Sequence, residues 1–122
     1  MERVAWIALG GALGAVMRHG CTSIGVRWVA AGIPLGVLIV NVIGSFAAGF
    51  VATLLAARPQ SSENLRAFAL VGLLGAFTTF SAFSNESVEL LRSGAVGRAS
   101  LHALLHLSLS IAAAWLGLSA AR

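Results

Sequence analysis

The stretch GLLGAFTTFSAF (residues 72–83) lies in an apolar region yet gathers two glycines, three hydroxyls and three phenylalanines. Glycine lets the backbone leave helical geometry. In a bilayer, non-helical backbone persists only where it is buried in protein or lines a watery cavity. The stretch therefore predicts a solute or ion site at a break in a membrane helix.

The rest of the chain supplies the membrane. Of 122 residues, 58% are hydrophobic and only 10% are charged, with a mean hydropathy of +0.92. A soluble domain carries about 25% charge. So few polar groups cannot cover a water-facing surface, and the sequence reads as an all-α integral membrane protein, one domain over residues 1–122. Four apolar segments stand out, near 4–21, 34–57, 65–91 and 99–120. Each is close to the roughly 20 residues a span needs. Pro34 suits the first turn of the second helix, and Pro59 its end. The polar run RPQSSEN (58–64) joins spans two and three, and Gly94 and Gly97 separate spans three and four. Trp6, Trp28 and Trp115 fall toward segment ends, as interfacial belts do. No cleavable leader is evident, so the first helix is expected to remain. Gly10/Gly14 and Ser45/Gly49 have the spacing of close helix contacts. Cys21, the single cysteine, is expected as a small packed side chain.

The charges say how such a chain inserts. All eight basic residues are arginines, single and without a cluster, which argues against nucleic acid as a partner. With four spans, Arg3, Arg58, Arg66 and Arg122 share one face, and Arg18, Arg27, Arg92 and Arg98 the other. Orientation follows a cytoplasmic excess of Lys and Arg. Here 4 − 4 = 0, and the acids also divide evenly, Glu2 and Glu63 against Glu86 and Glu89. An unbiased chain is expected to insert both ways, and opposed copies can pair about an axis in the membrane plane. The expectation is a dual-topology antiparallel homodimer.

Several polar residues sit at membrane depth. Asn41 lies mid-span, where an amide is costly unless hydrogen-bonded. It can tie helices together or offer donors to an anion. Phe80 and Phe83, three apart, share a helix face. A phenyl ring has a positive edge, so edges lining a narrow path favour a small anion; plain core packing is the other reading. The neighbours Gly75, Thr78, Thr79 and Ser81 tip the balance toward a site. A helix break also frees carbonyls, which bind cations. Arg18 ends the first span and should snorkel or line a vestibule, since a buried arginine costs about 2.5–3.5 kcal/mol. Glu86 and Glu89 pair with an arginine or sit in an aqueous mouth. His102 and His106 are four apart with Ser110 four further on. No third metal ligand is apparent, so the stripe is read as polar lining or helix contact. No nucleophile–base–orienter set exists, and the chain is not expected to be an enzyme.

Taken together, these blocks resemble the Fluc/CrcB fluoride channels over essentially the whole chain. The blocks are GGALGAVMRH (10–19), PLGVLIVNVIGSFAAG (34–49), GLLGAFTTFSAFSNE (72–86) and a hydrophobic final helix. The resemblance implies a dual-topology dimer with two antiparallel pores that passively exports fluoride across the inner membrane. It implies that Phe80 and Phe83 line the constriction, with Asn41 as the pore asparagine. Thr79, Ser81 and Ser110 supply hydroxyls, and Arg18 and Glu86 belong to the vestibule. It also implies a structural sodium ion (Na+) at the dimer interface, held by backbone carbonyls of Gly75 and Thr78. Val37, His19 and Ala82 depart from the family pattern, and a last-helix tyrosine has no counterpart, with His102 the candidate for its place. The rival is a small multidrug-type antiporter exchanging protons for cations. That needs a membrane-embedded carboxylate, and the first segment has none between Arg3 and its end.

Overall fold

The computed structural model describes residues 1–25, 28–58 and 63–122. Arg27, Pro59 and the middle of the 58–64 connection lie outside the described residues. The chain forms α1 (Glu2–Gly25), a short hairpin of β1 (Val29–Ala30) and β2 (Ile33–Pro34), then α2 (Gly36–Ala56). A third span follows in pieces: α3 (Glu63–Arg66), a wider π-helical segment (Ala67–Leu74), α4 (Gly75–Phe77) and α5 (Phe80–Arg92). The last helix is α6 (Val96–Ala120). Among the described residues, four helical stretches are long and apolar enough to cross a membrane, Glu2–Gly25, Gly36–Ala56, Glu63–Arg92 and Val96–Ala120. The protein is a mostly helical, multi-pass membrane protein.

The hairpin is an addition to the all-α expectation. Ala31 and Gly32 have φ of 53° and 76°, the left-handed pair that turns two strands about on each other. Pro34 pairs with Val29 in that hairpin rather than opening α2. Lacking an N–H, it fits a sheet only at an edge or an end. Leu35 then occupies the position before the helix, with no side-chain capping bond.

Small residues decide how the spans pack. α1 lies along the π-helical segment, and α2 along α6. A Cβ at Gly10 would stand 2.9 Å from the Leu73 amide nitrogen, and one at Gly117 would stand 3.0 Å from that of Phe50. Both backbones approach too closely for a side chain, the usual basis of helix contact in lipid. Ser45, paired with Gly49 in the sequence, instead borders a cavity.

The exterior is inverted relative to a soluble protein. Leu9, Leu13 and Val16 of α1 and Leu104, Ile111 and Trp115 of α6 are exposed. Cys21 is also exposed, not packed. At one end Arg3 pairs with Glu63, which puts the N-terminus and the start of the third span on one face.

Candidate functional site

The third span cannot continue as a helix through its hydroxyl pair. Thr78 takes φ −78°, ψ 155° and Thr79 φ −151°, ψ 119°, both extended. An extended residue loses its helical hydrogen bonds, which must be replaced inside a membrane. Asn41 on α2 replaces them. The Thr79 amide donates to Asn41 Oδ1 at 2.8 Å, and Asn41 Nδ2 donates to the Thr79 carbonyl at 3.0 Å. The carboxamide thus stands in for a neighbouring strand. An amide carries two N–H groups, so one donor of Asn41 remains for other use.

Thr79 then starts α5. Its hydroxyl accepts from the Ala82 amide at 3.2 Å, an N-cap, and shares a hydrogen bond with Ser81 Oγ at 3.1 Å. Thr78 Oγ1 donates to the Leu74 carbonyl at 3.0 Å. These bonds have a consequence for the carbonyls. The Thr79 amide, which would bond the Gly75 carbonyl in a helix, is turned to Asn41. The Ala82 amide, which would bond the Thr78 carbonyl, is turned to Thr79 Oγ1. Both oxygens lose their usual helical donors.

Beside this stretch lies a cavity of about 510 Å³. Asn41, Thr78, Thr79, Phe80, Phe83 and Ser110 all border it, and so does His106. Gly75, Ser81, Arg18 and Glu86 are not among its lining residues. Phe80 is 78% exposed, so the cavity is open on that side. The Phe80 and Phe83 ring centres are 5.4 Å apart. Phe83 is held by two imidazoles: its ring lies 5.3 Å from that of His102, nearly parallel, and 4.6 Å from that of His106.

Glu86 sits about one turn beyond Phe83 and meets α6. His102 Nε2 is 3.0 Å from Glu86 Oε2, while His102 Nδ1 is 3.1 Å from Ser87 Oγ. The sequence expected an arginine or water for Glu86 and no third partner for the histidine stripe. The structure brings one potential ligand atom each from Glu86, His102 and His106 within 4.8 Å of one another. No local pattern announces this, because α5 and α6 are brought together only by the turn at Gly94, with φ 77°.

The chain matches the model of the family described as CrcB-like protein, Camphor Resistance (CrcB), over residues 5–118. The chain belongs to the CrcB family. Curated relatives extend over nearly the whole length. A fluoride-specific ion channel FluC of Magnetococcus marinus is 43% identical over 120 residues, covering 98% of each chain. The protein of that name from Shewanella amazonensis is 44% identical, covering 96% of this chain and 94% of its own. That of Agrobacterium fabrum is 40% identical over 122 residues, covering 100% of this chain and 98% of its own. CrcB membership therefore embraces all four spans and the whole cavity lining.

Proposed function

We propose that this protein is a fluoride-selective channel that passively lowers cytoplasmic fluoride, working as a dual-topology antiparallel homodimer. In a bacterium its place is the inner membrane. The single observation that carries this is the extended Thr78–Thr79 stretch, clamped by Asn41 beside an open cavity that Phe80, Phe83 and Ser110 also border. The full-length likeness to proteins named fluoride-specific ion channels supplies the ion.

The third span is broken for a purpose. The spare Asn41 donor and the hydroxyls of Thr79 and Ser110, all bordering the cavity, replace water around a small anion, with Ser81 acting through its hydrogen bond to Thr79. The edges of Phe80 and Phe83 add positive potential in a path too narrow for large hydrated ions. Arg18 and Glu86 act nearer the mouths. Passive flow suffices for export: HF enters neutral, dissociates, and leaves an anion that a negative interior drives out by about 2.3 kcal/mol per 100 mV. The open side of the cavity and the balanced arginines favour a second, inverted copy as its cover. In that dimer the carbonyls of Gly75 and Thr78 would hold the sodium ion, which supplies structural charge at the interface.

The antiporter alternative gains nothing. Of the third span's carboxylates, Glu63 pairs with Arg3 at its start, and Glu86 and Glu89 lie on α5, where Glu86 Oε2 is 3.0 Å from His102 Nε2. Fluoride efflux from liposomes holding only this protein, with chloride run in parallel, tests the proposal. Fluoride release needing only a potassium shunt, with chloride retained, is expected. No release from verified folded protein overturns it.

A further inference from the structure

We propose that Glu86, His102 and His106 form a three-ligand site for a divalent first-row transition cation of the zinc class. Their ligand atoms all lie within 4.8 Å of one another. Two nitrogens bound to one tetrahedral zinc stand roughly 3.4 Å apart, so small side-chain adjustments close the site. His102 is wholly buried and His106 only 5% exposed.

The hydrogen bonds fix where the lone pairs point. Ser87 Oγ donates its one proton to the Phe83 carbonyl at 2.8 Å. It must then accept from His102 Nδ1, 3.1 Å away. That leaves the His102 Nε2 lone pair aimed at the Glu86 carboxylate, acceptor against acceptor at 3.0 Å. His106 Nδ1 donates to the His102 carbonyl at 3.1 Å, so its Nε2 also carries a lone pair. That atom is buried and has no hydrogen-bond partner among the described residues. A proton between Glu86 and His102 satisfies that pair alone. A cation satisfies all three atoms.

The surroundings suit a metal. Metal-binding histidines usually donate the other ring N–H to an oxygen that sets ring and tautomer, as Ser87 and the His102 carbonyl do here. Two imidazoles and one carboxylate select zinc-like ions over magnesium or calcium. Glu86, with its side chain 22% exposed, gives a way in. An open fourth position remains. Both imidazoles contact Phe83, so a bound ion sits at the flank of the proposed pore. One carboxylate against a divalent ion leaves net positive charge there. An anion held at such a point leaves slowly, and conduction needs weak holding.

The test is binding, independent of transport. The tag-free full chain in detergent is titrated with Co2+ alone, reading its ligand-field absorption. One ion per chain in a nitrogen- and oxygen-ligated spectrum is expected, displaced by Zn2+ and not by excess Mg2+. His102→Gln and His106→Gln should each weaken binding at least about 100-fold, and Ser87→Ala about 10-fold through His102. His19→Gln, at the remaining histidine, should stay within about twofold. Absence of binding by the parent chain overturns the site, as does unchanged affinity in His106→Gln. If the histidine variants do not fold, unchanged affinity in Ser87→Ala overturns it. The effect on transport rests on the channel reading: Zn2+ should slow fluoride efflux several-fold, reversed by chelator. Binding without slowing leaves the site and overturns its control of flow.

Discussion

The carboxamide of Asn41 and the backbone of Thr79 exchange two hydrogen bonds, 2.8 and 3.0 Å long, across 38 residues of chain. A side chain on one span thereby does for another what a strand neighbour does in a sheet. Thr79 is buried although it borders the open cavity.

Replacing Asn41 with Leu should strand the Thr79 amide and carbonyl together. Each unsatisfied buried group costs about 1–3 kcal/mol. We expect a loss of roughly 2–4 kcal/mol in reversible unfolding in micelles, with fluoride flux abolished. A change below about 0.5 kcal/mol would show that the clamp does not hold the third span.

The Thr79 hydroxyl caps α5 through the Ala82 amide. Thr79→Val should cost about 1 kcal/mol, and Thr79→Ser should recover most of it. Equal melting of the two variants in detergent would remove the cap from the account.

The two rings should separate by experiment. Phe80→Ile alters an exposed ring and should lower fluoride flux while leaving stability within about 0.5 kcal/mol. Phe83→Ile also empties the space between Phe80 and two histidines, and should cost about 1–3 kcal/mol besides flux. Wild-type efflux from both variants would exclude the rings from conduction.

Glycines divide by their surroundings. A Cβ at Gly117 meets the Phe46 carbonyl and the Phe50 amide of α2, whereas one at Gly20 meets nothing within 4 Å. Gly117→Ala should destabilise by about 1–3 kcal/mol by forcing α2 and α6 apart. Gly20→Ala, mid-helix, should be neutral or stabilising by up to about 1 kcal/mol. Thermal unfolding of both in the same detergent checks the pair, and equal destabilisation would contradict it.

Composition and period carried much of this without coordinates. Apolar runs near span length gave four helices; the structure extends the first and last by a few residues, to Glu2–Gly25 and Val96–Ala120, and trims the second to Gly36–Ala56. The hairpin was not legible, because Val29–Pro34 offers no alternation long enough to read. Pro34 is as acceptable in a first helical turn as at a strand end.

By itself, the sequence determined that this chain lives in a membrane, where it crosses, and that residues 72–83 are the unusual part. Those properties depend on hydrophobicity and local backbone freedom, which are written in neighbouring residues. Tertiary structure alone decided that Asn41 meets the Thr79 backbone of the third span, and that Glu86 lies against His102 with His106 close by. Such pairings are set by how α2, α5 and α6 settle against one another. Their packing depends on glycine contacts such as Gly117 on Phe46, which no single segment contains.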